Sequence, residues 1–193
     1  YYDFIYHEAE RLTRLINNVL QLARMSRNDQ VVSLEAMTVG DALAELKPRL
    51  ESQLEPSGFE LKIAGAAEVE AVRIEIDLDW FLQIFINLVD NAVKFSANAA
   101  TRRVDIEYLQ LRDGRVQFAV RDYGPGIALD QMRKIFTLFY RSENELTRET
   151  VGTGIGLALV QQLVGAMRAE VDVVNCEPGA EFRIRFSALD AGG

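Results

Sequence analysis

A chain of 193 residues, 49% of them hydrophobic and 26% charged, has ordinary globular composition and room for one full domain plus an appendage. Its formal net charge of −8 argues against broad binding to nucleic acid or to an anionic membrane, because both need a basic surface. Cys176 is the single cysteine, which excludes an intrachain disulfide and a cysteine-based metal cluster and suits a reducing cytoplasm. No apolar run reaches the roughly 18 residues of a membrane-spanning helix. The chain begins at Tyr1 with neither an initiator Met nor a signal peptide, so it reads as a piece of something longer, with any sensor or inner-membrane anchor upstream.

The first segment, roughly residues 1–26, holds no Gly or Pro. Ile5, Leu12 and Val19 recur every heptad, and Ala9, Ile16 and Ala23 follow each of them one helical turn later. Together they form one a/d stripe, the pattern of a helix packed in a coiled coil or bundle. A single helix cannot bury such a stripe alone. Docking onto its own globular domain is one solution. The favoured one is a helical hairpin or bundle dimer whose other helix lies outside this sequence. Arg27-Asn28-Asp29-Gln30 then reads as a polar linker, dividing the chain into residues 1–30 and 31–193.

Beyond the linker, Val31–Glu35 reads as a short strand and Thr38 as the N-cap of a helix, in which Pro48 is expected to cause a kink or a break. Strand-like runs follow at Phe59–Ala64 and Val72–Ile76, and Asp77 caps a long apolar helix reaching Phe95. Val104–Leu109 and Val116–Val120 alternate like strands around Asp113-Gly114, a hairpin turn signal. Then come a glycine-rich loop, a short helix over Leu129–Phe136, a polar stretch from Ser142 to Val151, a second glycine-rich loop and a helix to about Met167. Strands near Glu170–Val174 and Glu181–Ser187 close the chain. The expected class is α+β: a two-layer α/β sandwich with a mixed, mostly antiparallel sheet and about three helices on one face, preceded by one long amphipathic helix.

Chemistry concentrates in four places. In the helix 78–95, Gln83, Asn87, Asn91 and Lys94 share one stripe amid Trp80, Phe81, Ile84, Phe85, Leu88 and Val89. Two readings stand: a solvated polar face, or a Mg²⁺-nucleotide site, in which an Asn oxygen serves a hard cation and a Lys offsets phosphate charge. Asp122-Tyr123-Gly124-Pro125-Gly126-Ile127 follows a strand, where a buried Asp can accept a hydrogen bond from an exocyclic amine such as that of adenine; such a turn is often only a turn. Gly152-Thr153-Gly154-Ile155-Gly156-Leu157 opens a helix, whose exposed N–H groups favour phosphate. Its spacing is neither the Rossmann nor the P-loop pattern, and no serine/threonine/tyrosine kinase motif set is present. Finally, Ile135-Phe136-Thr137-Leu138-Phe139-Tyr140-Arg141 precedes the polar stretch, either as the anchor of a lid or as a satellite hydrophobic cluster under a surface loop.

In this order the four segments resemble the sensor histidine kinases of two-component signalling, with their Bergerat-type (gyrase, chaperone and mismatch-repair-like) ATP-binding domain. Asn87 to Phe95 looks like the N box, Asp122 to Ile127 the G1 box, Ile135 to Arg141 the F box and Gly152 to Leu157 the G2 box. The first helix resembles the second helix of the dimerisation and phosphotransfer hairpin, so the likeness covers essentially the whole chain. It implies ATP and Mg²⁺ as cofactors, with Asn91 ligating the metal and Asn87 ordering metal, waters or γ-phosphate. Lys94 and Arg141 would contact phosphates, and with Asn87 form the catalytic set. Phe95 would pack on adenine and Asp122 bind its amine, in a pocket shaped by Gly124 and Gly126. Gly152, Gly154 and Gly156 would flank the lid and cradle phosphates. Ile127, Phe136, Phe139, Thr153 and Leu157 belong to the same nucleotide-binding set.

The resemblance also implies a receiver domain of a response regulator as partner, homodimerisation through the hairpin, no nucleic acid, a cytoplasmic location, and membrane attachment only through upstream segments. A histidine must accept the phosphoryl group. The single histidine, His7, is followed by Glu8 but by no nearby Pro and lies one helix from the linker rather than two, so it reads as a surface residue and the acceptor as lying outside this sequence. The fragment should therefore bind ATP without phosphorylating itself at the proper site. Other readings remain: a decayed scaffold, a serine kinase of the anti-sigma type, or an ATP-hydrolysing clamp. The clamp is disfavoured because its relatives carry a Glu base where Asn87 stands.

Overall fold

The computed structural model describes residues 32–138, 140 and 154–189, together with positions 5, 9, 12, 13, 16–21 and 23 of the first segment. Those early positions are helical. The stripe residues Ile5, Leu12, Ile16 and Val19 are 42–56% exposed, so the described residues do not cover it. His7, Glu8 and the linker 27–30 lie outside the described residues.

The domain opens with β1 (Glu35–Thr38), which leads directly into α1 (Val39–Leu54). Thr38 caps that helix, its hydroxyl accepting the Asp41 N–H at 3.1 Å. β1 pairs antiparallel with β3 (Arg73–Ile76), with Glu35 opposite Ile76. The strand expected at 31–35 is thus displaced toward the C-terminus. Residues before Glu35 would pair beyond the end of β3, where the chain already turns at Asp77; Val32 and Leu34 instead pack on the core without a ladder. Nor does Pro48 interrupt α1, which runs unbroken from Val39 to Leu54. Pro48 and Ala44, whose carbonyl loses its usual partner, both face solvent, and water can serve that carbonyl.

The remaining elements are β2 (Glu60–Gly65), the short α2 (Ala67–Glu70), α3 (Leu78–Phe95), β4 (Arg103–Gln110), β5 (Val116–Arg121), α4 (Gly156–Ala166), β6 (Glu170–Asn175) and β7 (Ala180–Phe186). The main sheet has five strands in the order β2-β4-β5-β7-β6. β2 runs parallel to β4 and every other pairing is antiparallel, as the mixed, mostly antiparallel expectation had it. The hairpin between β4 and β5 closes where Asp113-Gly114 signalled it, with Leu111 N–H donating to the Arg115 carbonyl at 2.7 Å.

Alternation decides which face is buried. Along β7, Phe182, Ile184 and Phe186 are buried while Glu181, Arg183 and Arg185 are only half-buried. The inward residues meet α1, α3 and α4 in one core. Its centre is aromatic: Phe81 stands 5.4 Å from Phe118, which stands edge-on to Phe186 at 5.9 Å. The outward charges pair across strands, as in Arg185–Asp172 at 2.7 Å.

At the sheet's β2 edge, Gly65 lies opposite Tyr108 of β4. A Cβ on Gly65 would stand 2.4 Å from the Tyr108 ring, so the ring takes the place of a side chain. The Tyr108 hydroxyl donates to Glu70 at 2.5 Å. That bond is the main reason its pKa is pushed up to about 12. Gly65→Ala should expel the ring and lower stability by about 2 kcal/mol, read as a lower urea midpoint with unchanged slope. An unchanged midpoint would refute this packing.

Asp77 performs two tasks at the start of α3. One carboxylate oxygen accepts the Trp80 N–H at 3.1 Å and caps the helix. The other accepts the Ser33 N–H at 3.1 Å, tying the incoming segment to that cap. By contrast, the helix expected over 129–136 does not form. Its hydrogen bonds are mostly of the i→i−3 kind, such as Lys134 N–H to the Gln131 carbonyl at 2.8 Å, and they end in a single 3₁₀ turn, Lys134–Phe136. Leu129 is 83% exposed; with only Ile135 and Phe136 reaching the core, there is no apolar stripe to hold a helix there.

Candidate functional site

The polar stripe of α3 is where the elements converge. Asn87 is 8% exposed although polar. Its amide nitrogen donates to the Gln83 carbonyl one turn back, at 2.9 Å. Its oxygen lies against the first residue of α4, 3.4 Å from where a Gly156 Cβ would stand. The turn before α4 contains Gly154 at φ +67, and no side chain caps α4, leaving its first N–H groups directed outward. Thus the start of α4 and the Asn stripe meet in space.

One turn further along α3, Asn91 is half-buried and its side-chain nitrogen position is buried without a hydrogen-bond partner. A buried amide left so costs about 1–3 kcal/mol, and a bound polar group would offset that. This orphaned donor suits an acceptor such as a phosphate oxygen, while the other end of the same amide is an oxygen of the kind a hard cation takes. Lys94 holds its ammonium 4.4 Å over the ring of Phe95, which is 37% exposed.

The loop after β5 completes the arrangement. Asp122 is 5% exposed. Its Oδ1 accepts the Gly124 N–H at 2.8 Å and the Ala180 N–H at 3.3 Å. Burial pushes the Asp122 carboxyl above its ordinary value, opposed by those two N–H groups, the Arg121 charge and the Ser96 hydroxyl. A carboxylate desolvated this way is poised to accept from a ligand donor. Gly124 can only be glycine because a Cβ would stand 2.8 Å from the Phe95 carbonyl; the loop rests on the end of α3. Tyr123 reaches the opposite face of the sheet, where its hydroxyl donates to Asp105 and accepts from Arg103, both at 2.5 Å. The Asp105 bond is the main reason the Tyr123 phenol is pushed up.

Asn87, Asn91, Lys94, Phe95, Asp122, Gly124, Gly126, Gly154, Gly156 and Leu157 therefore fall on adjoining segments: the C-terminal half of α3, the loop after β5 and the start of α4. Ile127 is pinned by Asn175, whose amide oxygen accepts its N–H at 2.8 Å and whose nitrogen donates to its carbonyl at 2.7 Å. Phe136 packs edge-on to Phe182 at 6.2 Å. Phe139, Arg141, Gly152, Thr153 and the polar stretch 142–151 lie outside the described residues. Three residues absent from the sequence-derived set support the loop: Ser96, Asn175 and Gly179. Ser96 alone carried a local signal, a polar residue directly ending the N-box helix.

Residues 76–190 match the family described as histidine kinase-, DNA gyrase B-, and HSP90-like ATPase. Sensor protein kinase WalK of Staphylococcus haemolyticus is 31% identical over 165 residues, 85% of this chain and 26% of that protein. Full-length ShkA, solved in complex with AMPPNP, superposes with a TM-score of 0.77 at 30% identity over 96% of this chain and 38% of that one. The catalytic domain of histidine kinase ThkA shares the fold, with a TM-score of 0.64 at 21% identity, over 80% of this chain and 95% of its own. The chain spans about a quarter of the curated relative and well under half of ShkA. With Asn stripe, buried Asp and glycine loops in the family's order on the family's sandwich, the chain belongs to the histidine kinase-, DNA gyrase B- and HSP90-like ATPases, as an ATP-binding catalytic domain of the sensor histidine kinase type.

Proposed function

We propose that residues 31–193 bind Mg²⁺-ATP and hand its γ-phosphoryl group to a histidine on a helical hairpin, of which residues 1–30 form part. In the complete protein the group would pass to an aspartate on a response-regulator receiver domain, with two copies paired through their hairpins. The observation that supports this reading is a buried Asp122 in a loop that rests on the end of α3, the same helix that carries the unpartnered Asn91 amide nitrogen. No described helix is long and apolar enough to cross a membrane; the cytoplasmic placement, with any anchor upstream, belongs to the proposal.

Each group then has a task. The metal, when bound, neutralises charge on the phosphate oxygens. Asn91 would hold it through its side-chain oxygen. Asn87 gives one amide hydrogen to Gln83; its oxygen would order the metal or a water, and its second N–H would be the group to meet the γ-phosphate. It cannot accept a proton from water, which disfavours the hydrolytic clamp. Lys94, and Arg141 by its motif position, would counter phosphate charge, and the exposed Phe95 ring would cover adenine. Phosphoryl transfer depends on placement more than on covalent help from the protein.

Calorimetric titration with AMPPNP, with and without Mg²⁺, tests this directly. The unaltered chain should bind in a Mg²⁺-dependent manner, and Asn91→Ala should weaken the Mg²⁺-dependent binding about tenfold or more. Absence of binding by the unaltered chain at millimolar AMPPNP and Mg²⁺ would refute the reading.

A further inference from the structure

We propose that Arg121 forms a binding site for an oxyanion, the carboxylate or phosphate group of a ligand, on the outer face of the main sheet. The site is separate from the nucleotide reading above and does not depend on it.

Four arginines point outward from the strands: Arg103 of β4, Arg121 of β5, and Arg183 and Arg185 of β7. Three of them are ion-paired within the chain. Arg103 takes Asp105 at 2.6 Å, Arg183 takes Glu181 at 2.7 Å and Arg185 takes Asp172 at 2.7 Å. Among the described residues, Arg121 pairs with no carboxylate, although in the sheet register it lies between Asp105 and Glu181. Opposite charges facing each other across strands ordinarily attract, but both of these are committed elsewhere. Asp105 accepts from Arg103 and Tyr123, and Glu181 accepts from Arg183. Asp122, next in the chain, is occupied with the Gly124 and Ala180 N–H groups.

Arg121 is nonetheless held in place. Its guanidinium lies 4.9 Å from the centre of the Tyr123 ring, and its Nη2 donates to the Pro178 carbonyl at 3.3 Å. Its Nε–H is buried without an acceptor, which carries a standing cost. A half-buried cation, ordered in advance and short of acceptors, loses little freedom when an anion arrives. The guanidinium fork matches two oxygens of a carboxylate or a phosphate. Closing on them gives up only the long bond to Pro178, and the Nε–H gains the acceptor it lacks. A neutral ligand would leave the charge unmatched.

The Arg121 Nε–H has its own signal in nitrogen–proton NMR spectra, identified by its loss in Arg121→Lys. The chain is titrated with citrate, with inorganic phosphate and with chloride at matched ionic strength. Citrate or phosphate should shift that signal and the Tyr123 amide along a saturating curve in the millimolar range, and chloride should not. The tighter of the two shows whether the site takes carboxylate or phosphate. Arg121→Gln, followed at the Tyr123 amide, should weaken binding about tenfold or more. Arg121→Lys keeps the charge without the fork and should weaken it less; if one variant folds poorly, the other decides. A drift no larger than that in chloride would overturn the proposal, as would equal affinity in Arg121→Gln and the parent. So would a shift that Mg²⁺ and AMPPNP abolish, because the anion would then occupy the nucleotide site. A saturating shift in a chain that binds no AMPPNP would sustain this proposal while the nucleotide reading fails.

Discussion

Asp122→Asn should lose adenine-nucleotide affinity by about a hundredfold while leaving the fold as stable as the parent, or more stable, at neutral pH. The affinity follows from donor bookkeeping. Gly124 and Ala180 already point their N–H groups at Oδ1, so the asparagine oxygen must take that position. The amide nitrogen then faces the ligand, donor against donor, and a buried site built around a hydrogen bond discriminates strongly when that bond is lost. The stability follows from the raised pKa. A folded-state value above the ordinary 3.8 means the folded chain holds the proton more tightly than the unfolded one. This contribution is fully present below the unfolded value and is lost as pH rises through the folded one. At pH 7 the ionised, buried carboxylate opposes folding, and asparagine removes that opposition. Thermal melts of both proteins from pH 3 to pH 8 should show the variant's relative advantage appearing only on the neutral side. A variant markedly less stable than the parent at pH 7, or one that binds AMPPNP as well as the parent does, would contradict the assignment of Asp122.

Gly179→Ala should be the most destabilising glycine substitution near the site. Gly179 has φ +97, and its Cβ would fall 1.9 Å from the Asp122 carbonyl oxygen, with the Tyr123 Cα at 3.0 Å. These are backbone atoms and have no rotamer to change. The β6–β7 hairpin would have to withdraw, and with it the pair of bonds between Asp122 and Ala180, N–H to carbonyl at 2.9 Å and N–H to Oδ1 at 3.3 Å. Backbone strain of about 1–2 kcal/mol adds to overpacking of about 1–3 kcal/mol. For a protein of this size, a melting temperature lower by roughly 4–20 °C follows, together with weaker nucleotide binding. Gly114→Ala provides the comparison: φ is +87, but nothing lies within 4 Å, so only the strain should register. Equal melting temperatures for the two variants would show that the close approach at Gly179 is not rigid.

The sequence was most informative where structure is made locally. The span of α3 could be read because Asp77 caps it and its apolar and polar stripes repeat every turn. The β4–β5 hairpin could be read because Asp113-Gly114 supplies its own turn. Elements that depend on distant partners were harder. The position of β1 is set by where β3 ends, and the 129–136 segment lacks a helix because too little of it reaches the core. Pro48 is harmless because of which way its side of α1 faces, which no local pattern reveals. The site divides the same way. The Asn stripe stands on a regular helix and Asp122 directly follows a strand, so both announce themselves, whereas Gly179 and Asn175 matter only because the β6–β7 hairpin folds back against the loop after β5.

The shared carboxylate of Asp77 has a mechanical consequence. Residue 33 and the first turn of α3 hang on its two oxygens, so a sideways load on the incoming segment is delivered to the end of a stiff rod. That rod has 18 residues and is about 27 Å long. A tilt of about 5° applied at its start sweeps its far end, where Asn91 and Lys94 sit, through about 2 Å. A misplacement of about 1 Å is enough to slow a positioned reaction about a hundredfold. Leverage, rather than any rearrangement of the nucleotide-binding residues themselves, would let a small displacement of the incoming segment govern what happens at the phosphates.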